Sequence, residues 1–249
     1  GTLYSDAGVG SLAILSDMKE KYCDQSDNNG FLNGYCSANV AGADQLYNRD
    51  VDFTRVFDVP LTLDADFADG AKTNDKSAVI ALFHNLSLAT PYGEQGEKGF
   101  DPRENSATVQ DARSINAARS VAGNSFATLV AEKAKSTSTS AGYMQAILEQ
   151  LGLSTNDAKQ LIGTNPSYFA QMEVMTKKLF QNPAFYANLY ESEANIDRQR
   201  VAMKAIELQQ DRDLLESLRR REMLLSVFLN MKLKDTAHDM NENGILVKK

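Results

Sequence analysis

Past Pro183 the chain runs to Lys234 without a proline or a glycine, and no other feature narrows its fold so far. Proline breaks a helix by lacking an N–H and clashing with the preceding turn, glycine by its backbone entropy. A stretch of this length without either predicts a long helix. Within it Val201, Leu208, Leu215, Leu218, Leu225 and Leu229 follow a spacing of about 3.5 residues, with Ala205 beside the seam. Asp211 and Glu222 interrupt that seam where it calls for apolar side chains. A continuous helix of about fifty residues would reach ~75 Å, so a bend or break is expected near Ser192–Asp197. A long amphipathic helix this late in a chain reads as an assembly surface or a stalk, and those six apolar residues are the candidate oligomer interface.

Ahead of this helix the chain repeats itself. Residues 165–172 read NPSYFAQM and residues 182–189 read NPAFYANL. Both predict helix starts, with Asn165 and Asn182 as N-caps and Pro166 and Pro183 at the first helical position. Proline's missing N–H would go unsatisfied there anyway. Helices are therefore expected over 165–180 and from 182 onward. Upstream, Ser154 reads as the N-cap of a short helix that Gly163 ends, and Gly152 closes the helix before it. Residues 106–134 are Ala-rich and read as one long helix, 73–90 as a buried helix with Asp75 near its start, 5–22 as a helix weakened by glycine, and 40–48 as a short one. The Ser/Thr run at 135–142 reads as a linker. Only 51–63 leans towards β, as a short edge strand or extended segment interrupted by Pro60. The expected fold is mainly α: a helical bundle with a long C-terminal amphipathic helix and little β. Its expected organisation is an N-terminal helical region over 1–90 with a Cys23–Cys36 loop, a surface loop over 91–105, and a second helical region over 106–249.

Composition excludes some classes of function. A net charge of −7 argues against a nucleic-acid footprint, and no apolar run reaches the ~18 residues of a membrane span. The charge is uneven: residues 1–75 carry 13 acidic and 5 basic groups, residues 195–249 carry 9 and 11. That asymmetry is either two solvated faces or head-to-tail attraction between subunits. Cys23 and Cys36 enclose twelve polar, Gly- and Asn-rich residues, a loop able to bring its ends together. A disulfide there would contribute ~3 kcal/mol in the chain-entropy model. It would place the chain in an oxidising compartment, periplasmic or secreted; the alternative is two unrelated thiols in a cytosolic protein.

Chemistry is nearly silent. The two histidines, His84 in an apolar pattern and His238 in a polar tail, form no constellation with the cysteines. The run over 63–75 approaches a calcium loop through Asp64, Asp66, Asp69, Gly70 and Asp75. Its glycine is displaced, however, and Asp replaces the bidentate Glu, so a solvated acidic loop is the better reading. No catalytic, cofactor or metal residue is expected.

One segment carries a resemblance. Residues 182–233 contain Asn182, Pro183, Phe185, Tyr186, Leu189 and Tyr190, then Arg198-Gln199, Ala202-Met203, Ala205-Ile206, Gln210-Asp211-Arg212, Glu216-Ser217, Arg220 and Glu222. In this pattern the chain resembles the IcmX/TraW-like periplasmic proteins of Dot/Icm (type IVB) secretion and IncI-type conjugation systems. The resemblance implies a non-catalytic structural component of such an apparatus, oligomeric in the periplasm around the translocation route. Its partners would be like copies and other secretion-machine subunits, with no nucleic-acid specificity and no transmembrane segment. The alternative is a secreted adhesin-like or effector binding module, whose contact surface would be the Cys loop with Phe31 and Tyr35.

Overall fold

The structure is a computed structural model, and it describes residues 15–37, 46–67, 73–87, 106–136, 138–190 and 193–242. Among these the fold is helical, with no strand and one isolated parallel bridge between Leu63 and Ala134. In chain order the α-helices are α1 (Asp27–Gly30), α2 (Phe53–Phe57), α3 (Asn74–Ser87), α4 (Ser106–Lys133), α5 (Ser138–Gln150), α6 (Thr155–Ile162), α7 (Tyr168–Glu173), α8 (Pro183–Asn188) and α9 (Glu193–Glu242). A π-helical turn occupies Met18–Tyr22, and α7 continues through a π turn, Val174–Lys178, into a 3-10 turn, Leu179–Gln181. The chain divides into two compact units. One holds residues 1–95 and 126–204, the other residues 96–125 and 205–249.

In the first unit, one core gathers Tyr22 with Val56 and Phe57 of α2, Ala78, Val79, Leu82 and Phe83 of α3, and Phe126 and Val130 of α4. Phe126 meets Phe57 edge-on at 5.5 Å, a ring geometry that adds to simple area burial, and lies tilted against Phe83 at 5.3 Å. Leu63 is fully buried in this core. Its backbone N–H donates to Lys133 (2.8 Å) and its carbonyl accepts from Lys135 (3.1 Å), so the connection after α2 is laced to the end of α4. A further buried set runs through Met144 and Leu148 of α5, Ala158 and Ile162 of α6, Val174, Leu179, and Phe185 of α8. Asn195 and Gln199 of α9 are also buried.

In the second unit, Arg113, Ser114, Asn116 and Ala117 of α4 are exposed and Gly123 is buried. The part of α9 from Ala205 onward is exposed along most of its length.

Several local expectations are met for local reasons. Ser154 caps α6 by accepting from the Asp157 N–H, and Gly163 follows it at φ 73°, a left-handed conformation that disfavours a Cβ. Asn182 caps α8 by accepting from Ala184 N–H, with Pro183 at the first position. The break expected near Ser192–Asp197 falls earlier, between the end of α8 at Asn188 and the start of α9 at Glu193, and α9 then runs for 50 residues without the interruption that its length predicted.

Other expectations need correction. The first Asn-Pro does not start a helix. The cap of α7 is Ser167, whose Oγ accepts from Ala170 N–H and donates to the Leu61 carbonyl at 2.7 Å. Its own N–H donates to Thr62 Oγ1 at 3.0 Å. A distant loop thus selects the cap two residues later than the local pattern does. The β-leaning 51–63 stretch is helical over Phe53–Phe57, because Asp52 accepts from the N–H groups of Thr54 and Arg55 and Phe53 stacks on Phe57 at 4.6 Å. Leu63 alone makes a bridge. The Ser/Thr run contributes the first turn of α5 from Ser138. Of the expected helix over 5–22, residues 15–22 are helical and end in the π turn, and of that over 40–48 only residue 46 is helical before a turn; residues 5–14 and 40–45, and the loop over 91–105, lie outside the described residues.

Candidate functional site

Among the described residues, exposed apolar side chains recur along one side of α9. Its 50 residues span ~75 Å. Val201, Leu208, Leu215, Leu218, Leu225 and Leu229 are between 48% and 70% exposed. Leu214, Met223, Phe228, Met231 and Leu233 are exposed as well. Scattered exposed apolar residues are ordinary on a protein surface, whereas a contiguous apolar stripe marks an interaction site. The charges beside the stripe hold the helix locally: Arg212 pairs with Glu216 at 3.2 Å and Arg200 with Asp197 at 3.5 Å, both exposed. The side chain of His238 lies outside the described residues.

The Cys loop is a second exposed feature. Cys23 and Cys36 are disulfide-bonded, their Cα atoms 5.5 Å apart, and both are buried. Left-handed backbone at Asn29, Gly30 and Gly34 turns the chain between them. Within the loop Asp24 accepts from the Ser26 hydroxyl at 2.6 Å, which holds its carboxyl below the usual carboxylate range. The loop is tied down by Asn48 Nδ2 donating to Asp27 at 2.7 Å and by Ser37 N–H donating to the Lys19 carbonyl. Phe31 stands out from it at 79% exposure, while Tyr35 lies under the Lys19 ammonium, 4.1 Å from its ring centre.

Beside the disulfide is an open cleft of about 320 Å³, walled by Leu15, Met18, Leu32 and Val51, with Asp50 and Asn85 as polar groups. Asn85 Nδ2 donates to the Asp50 carbonyl at 2.9 Å and approaches its carboxylate at 3.4 Å. Burial raises the Asp50 carboxyl above its ordinary range despite that bond. Burial also raises the neighbouring Tyr22 phenol, with Asp17 and Asp50 adding to the effect.

In the acidic 63–75 run, Asp64 and Asp75 are engaged by protein partners. Asp75 accepts from Arg49 at 2.8 Å and from Asp64 N–H at 2.8 Å, Thr73 Oγ1 donates to the Asp64 carbonyl, and Asp64 pairs with Lys135 at 2.7 Å. Asp69 and Gly70 lie outside the described residues. Among the described residues no three acidic, His or Cys side chains are grouped to hold a metal. His84 is buried in α3, beside Phe83. The cleft and the Arg49–Asp75 pair escaped sequence reading because their members come from segments far apart in the chain.

Among the described residues no helix is long and apolar enough to cross a membrane. No protein-family model matches the chain, and no curated protein or solved structure matches it.

Proposed function

We propose that the protein is a non-catalytic structural subunit that assembles with copies of itself through α9, in a bacterial type IV secretion or conjugation apparatus. The observation that carries this reading is the exposed, regularly spaced apolar side of a fifty-residue helix. Leaving such a stripe in water forgoes roughly 25 cal/mol for each Å² of apolar surface, a cost that association with a matching surface removes. The Cys23–Cys36 disulfide is compatible with a non-cytoplasmic location and supports the periplasmic setting that the resemblance of residues 182–233 implies. In that setting the subunits would surround the translocation route, their work being shape and contact rather than chemistry.

Native mass spectrometry of Leu215→Asp and Leu225→Asp tests the reading. Each should abolish the oligomer while circular dichroism retains most of the helical signal, since both side chains are exposed within one chain. Retained assembly in both variants would remove α9 as the contact. A second reading, a secreted binding module, is favoured by one observation: Phe31 presents an apolar ring at the edge of a rigidly stapled loop. A chain that stays monomeric at micromolar concentration would move weight to that reading.

A further inference from the structure

The seam on α9 carries charges as well as leucines, and their order along the helix specifies how two copies can meet. With Val201 at heptad position a, the a series is Val201, Leu208, Leu215, Glu222 and Leu229. The d series is Lys204, Asp211, Leu218 and Leu225. Lys204, Asp211 and Glu222 are exposed, as are the apolar members.

Two helices joined in parallel and in register set each a or d residue against itself. That would stack Lys204 on Lys204, Asp211 on Asp211 and Glu222 on Glu222, three like-charge layers inside one seam. Antiparallel helices instead set each a residue against a d residue of the other copy. When the two-fold axis crosses the helix at Asp213, the layers are Val201 on Leu225, Leu208 on Leu218, and Lys204 on Glu222. Each occurs twice by symmetry.

One flank agrees with that register, and on the other Arg212 comes beside Arg212 of the second copy, each neutralised by Glu216 of its own chain. Glu207 comes beside Arg221 of the second copy, and Leu214 meets Leu214 on the axis. Asp211 falls against Leu215, and the exposed Asp197 against Leu229. Sliding the helices by one heptad gains a Leu215–Leu218 layer but sets Glu222 on Asp211, acid against acid. Charge complementarity therefore selects both the direction and the register.

We infer that the occupant of the α9 seam is a second copy of this chain, bound antiparallel about a two-fold axis at Asp213, with Lys204 of each copy facing Glu222 of the other. The inference rests on the reading of α9 as the self-assembly surface and specifies its geometry. Such a contact is isologous, the same face serving on both copies, and so closes as a pair; subunits arranged around a route would then be pairs joined by a second contact.

Disulfide trapping in the full chain tests it. Both native cysteines are joined to each other, so a single added cysteine supplies the reactive thiol. An oxidised equimolar mixture of Leu208→Cys and Leu218→Cys should give the mixed 208–218 cross-link. The 208–208 product should be absent, because ten residues of helix separate those positions by ~15 Å in the antiparallel pair. Lys204→Glu and Glu222→Lys should each weaken the pair about tenfold, and the double reversal should restore it. In a parallel pair each single reversal merely exchanges one like-charge layer for another.

A dominant 208–208 product, or single reversals without effect, would overturn the antiparallel pair. A 208–225 product from the corresponding Leu208→Cys and Leu225→Cys mixture would overturn the register. A dimer in native mass spectrometry with none of these cross-links would overturn the seam geometry while sparing self-assembly. A chain that never self-associates would overturn both.

Discussion

Replacing Ser167 with alanine should destabilise the first unit by about 2–3 kcal/mol, although the residue is small and touches no core leucine through its hydroxyl. The magnitude follows from what that hydroxyl does. It is fully buried, accepts from Ala170 N–H at 3.0 Å, and donates to the Leu61 carbonyl at 2.7 Å. Losing a side-chain cap costs ~1 kcal/mol, and stripping a part-buried carbonyl of its donor costs a further ~1–2 kcal/mol. Thr62 Oγ1, which also contacts the hydroxyl at 3.2 Å, still accepts from the residue 167 N–H, so the loop need not detach altogether. Urea unfolding followed by circular dichroism should show a lower midpoint at an unchanged slope. Hydrogen exchange should accelerate at Ala170, whose N–H loses its acceptor. The control is Asn165→Ala, which removes the residue that the local pattern nominates as the cap. Asn165 is exposed, and its loss should change stability by less than about 0.5 kcal/mol. Equal costs for the two variants, or a negligible cost for Ser167→Ala, would refute the argument that a tertiary contact selects this helix start.

Asp75→Asn keeps an acceptor for Asp64 N–H but leaves Arg49 without its carboxylate; that pair is 10% and 21% exposed, and a loss of about 2 kcal/mol is expected in urea unfolding. Asp50→Asn should flatten part of the pH dependence. The folded carboxyl titrates above its unfolded value, so its stabilising contribution is present at low pH and is lost as pH rises through the folded pKa. Relative to the native chain, the variant should therefore gain stability between acid and neutral pH; a difference independent of pH would refute this. Reduction should raise the intact mass by ~2 Da and lower stability by ~3 kcal/mol, with neither thiol alkylated beforehand, whereas prior alkylation of both would contradict the Cys23–Cys36 bond.

What the sequence determined by itself is whatever a segment can decide within a turn or two of its own chain. The helical class follows from long runs without breakers. The caps at Ser154 and Asn182 follow from hydroxyl and amide groups within reach of the next N–H groups, and the turn at Gly163 from a missing Cβ. The Cys23–Cys36 bond closes a loop short and flexible enough for its ends to meet. The seam on α9 was equally legible, because helical spacing alone places its leucines on one side.

Tertiary structure decided what depends on partners far away in sequence. Ser167 prevails over Asn165 because Leu61 and Thr62, about a hundred residues earlier, bond to it. Within the β-leaning 51–63 stretch, Asp52 caps the Phe53–Phe57 helix locally, and tertiary structure supplies the α3 and α4 side chains that bury Val56 and Phe57 on it. Asp75, legible only as one acid among many, becomes the partner of Arg49 and a cap for the Asp64 amide. These outcomes are fixed by burial and by hydrogen bonds across long chain separations, and a local pattern contains neither. For α9 the division is reversed: its pattern is complete in the sequence, and the fold leaves its leucines exposed.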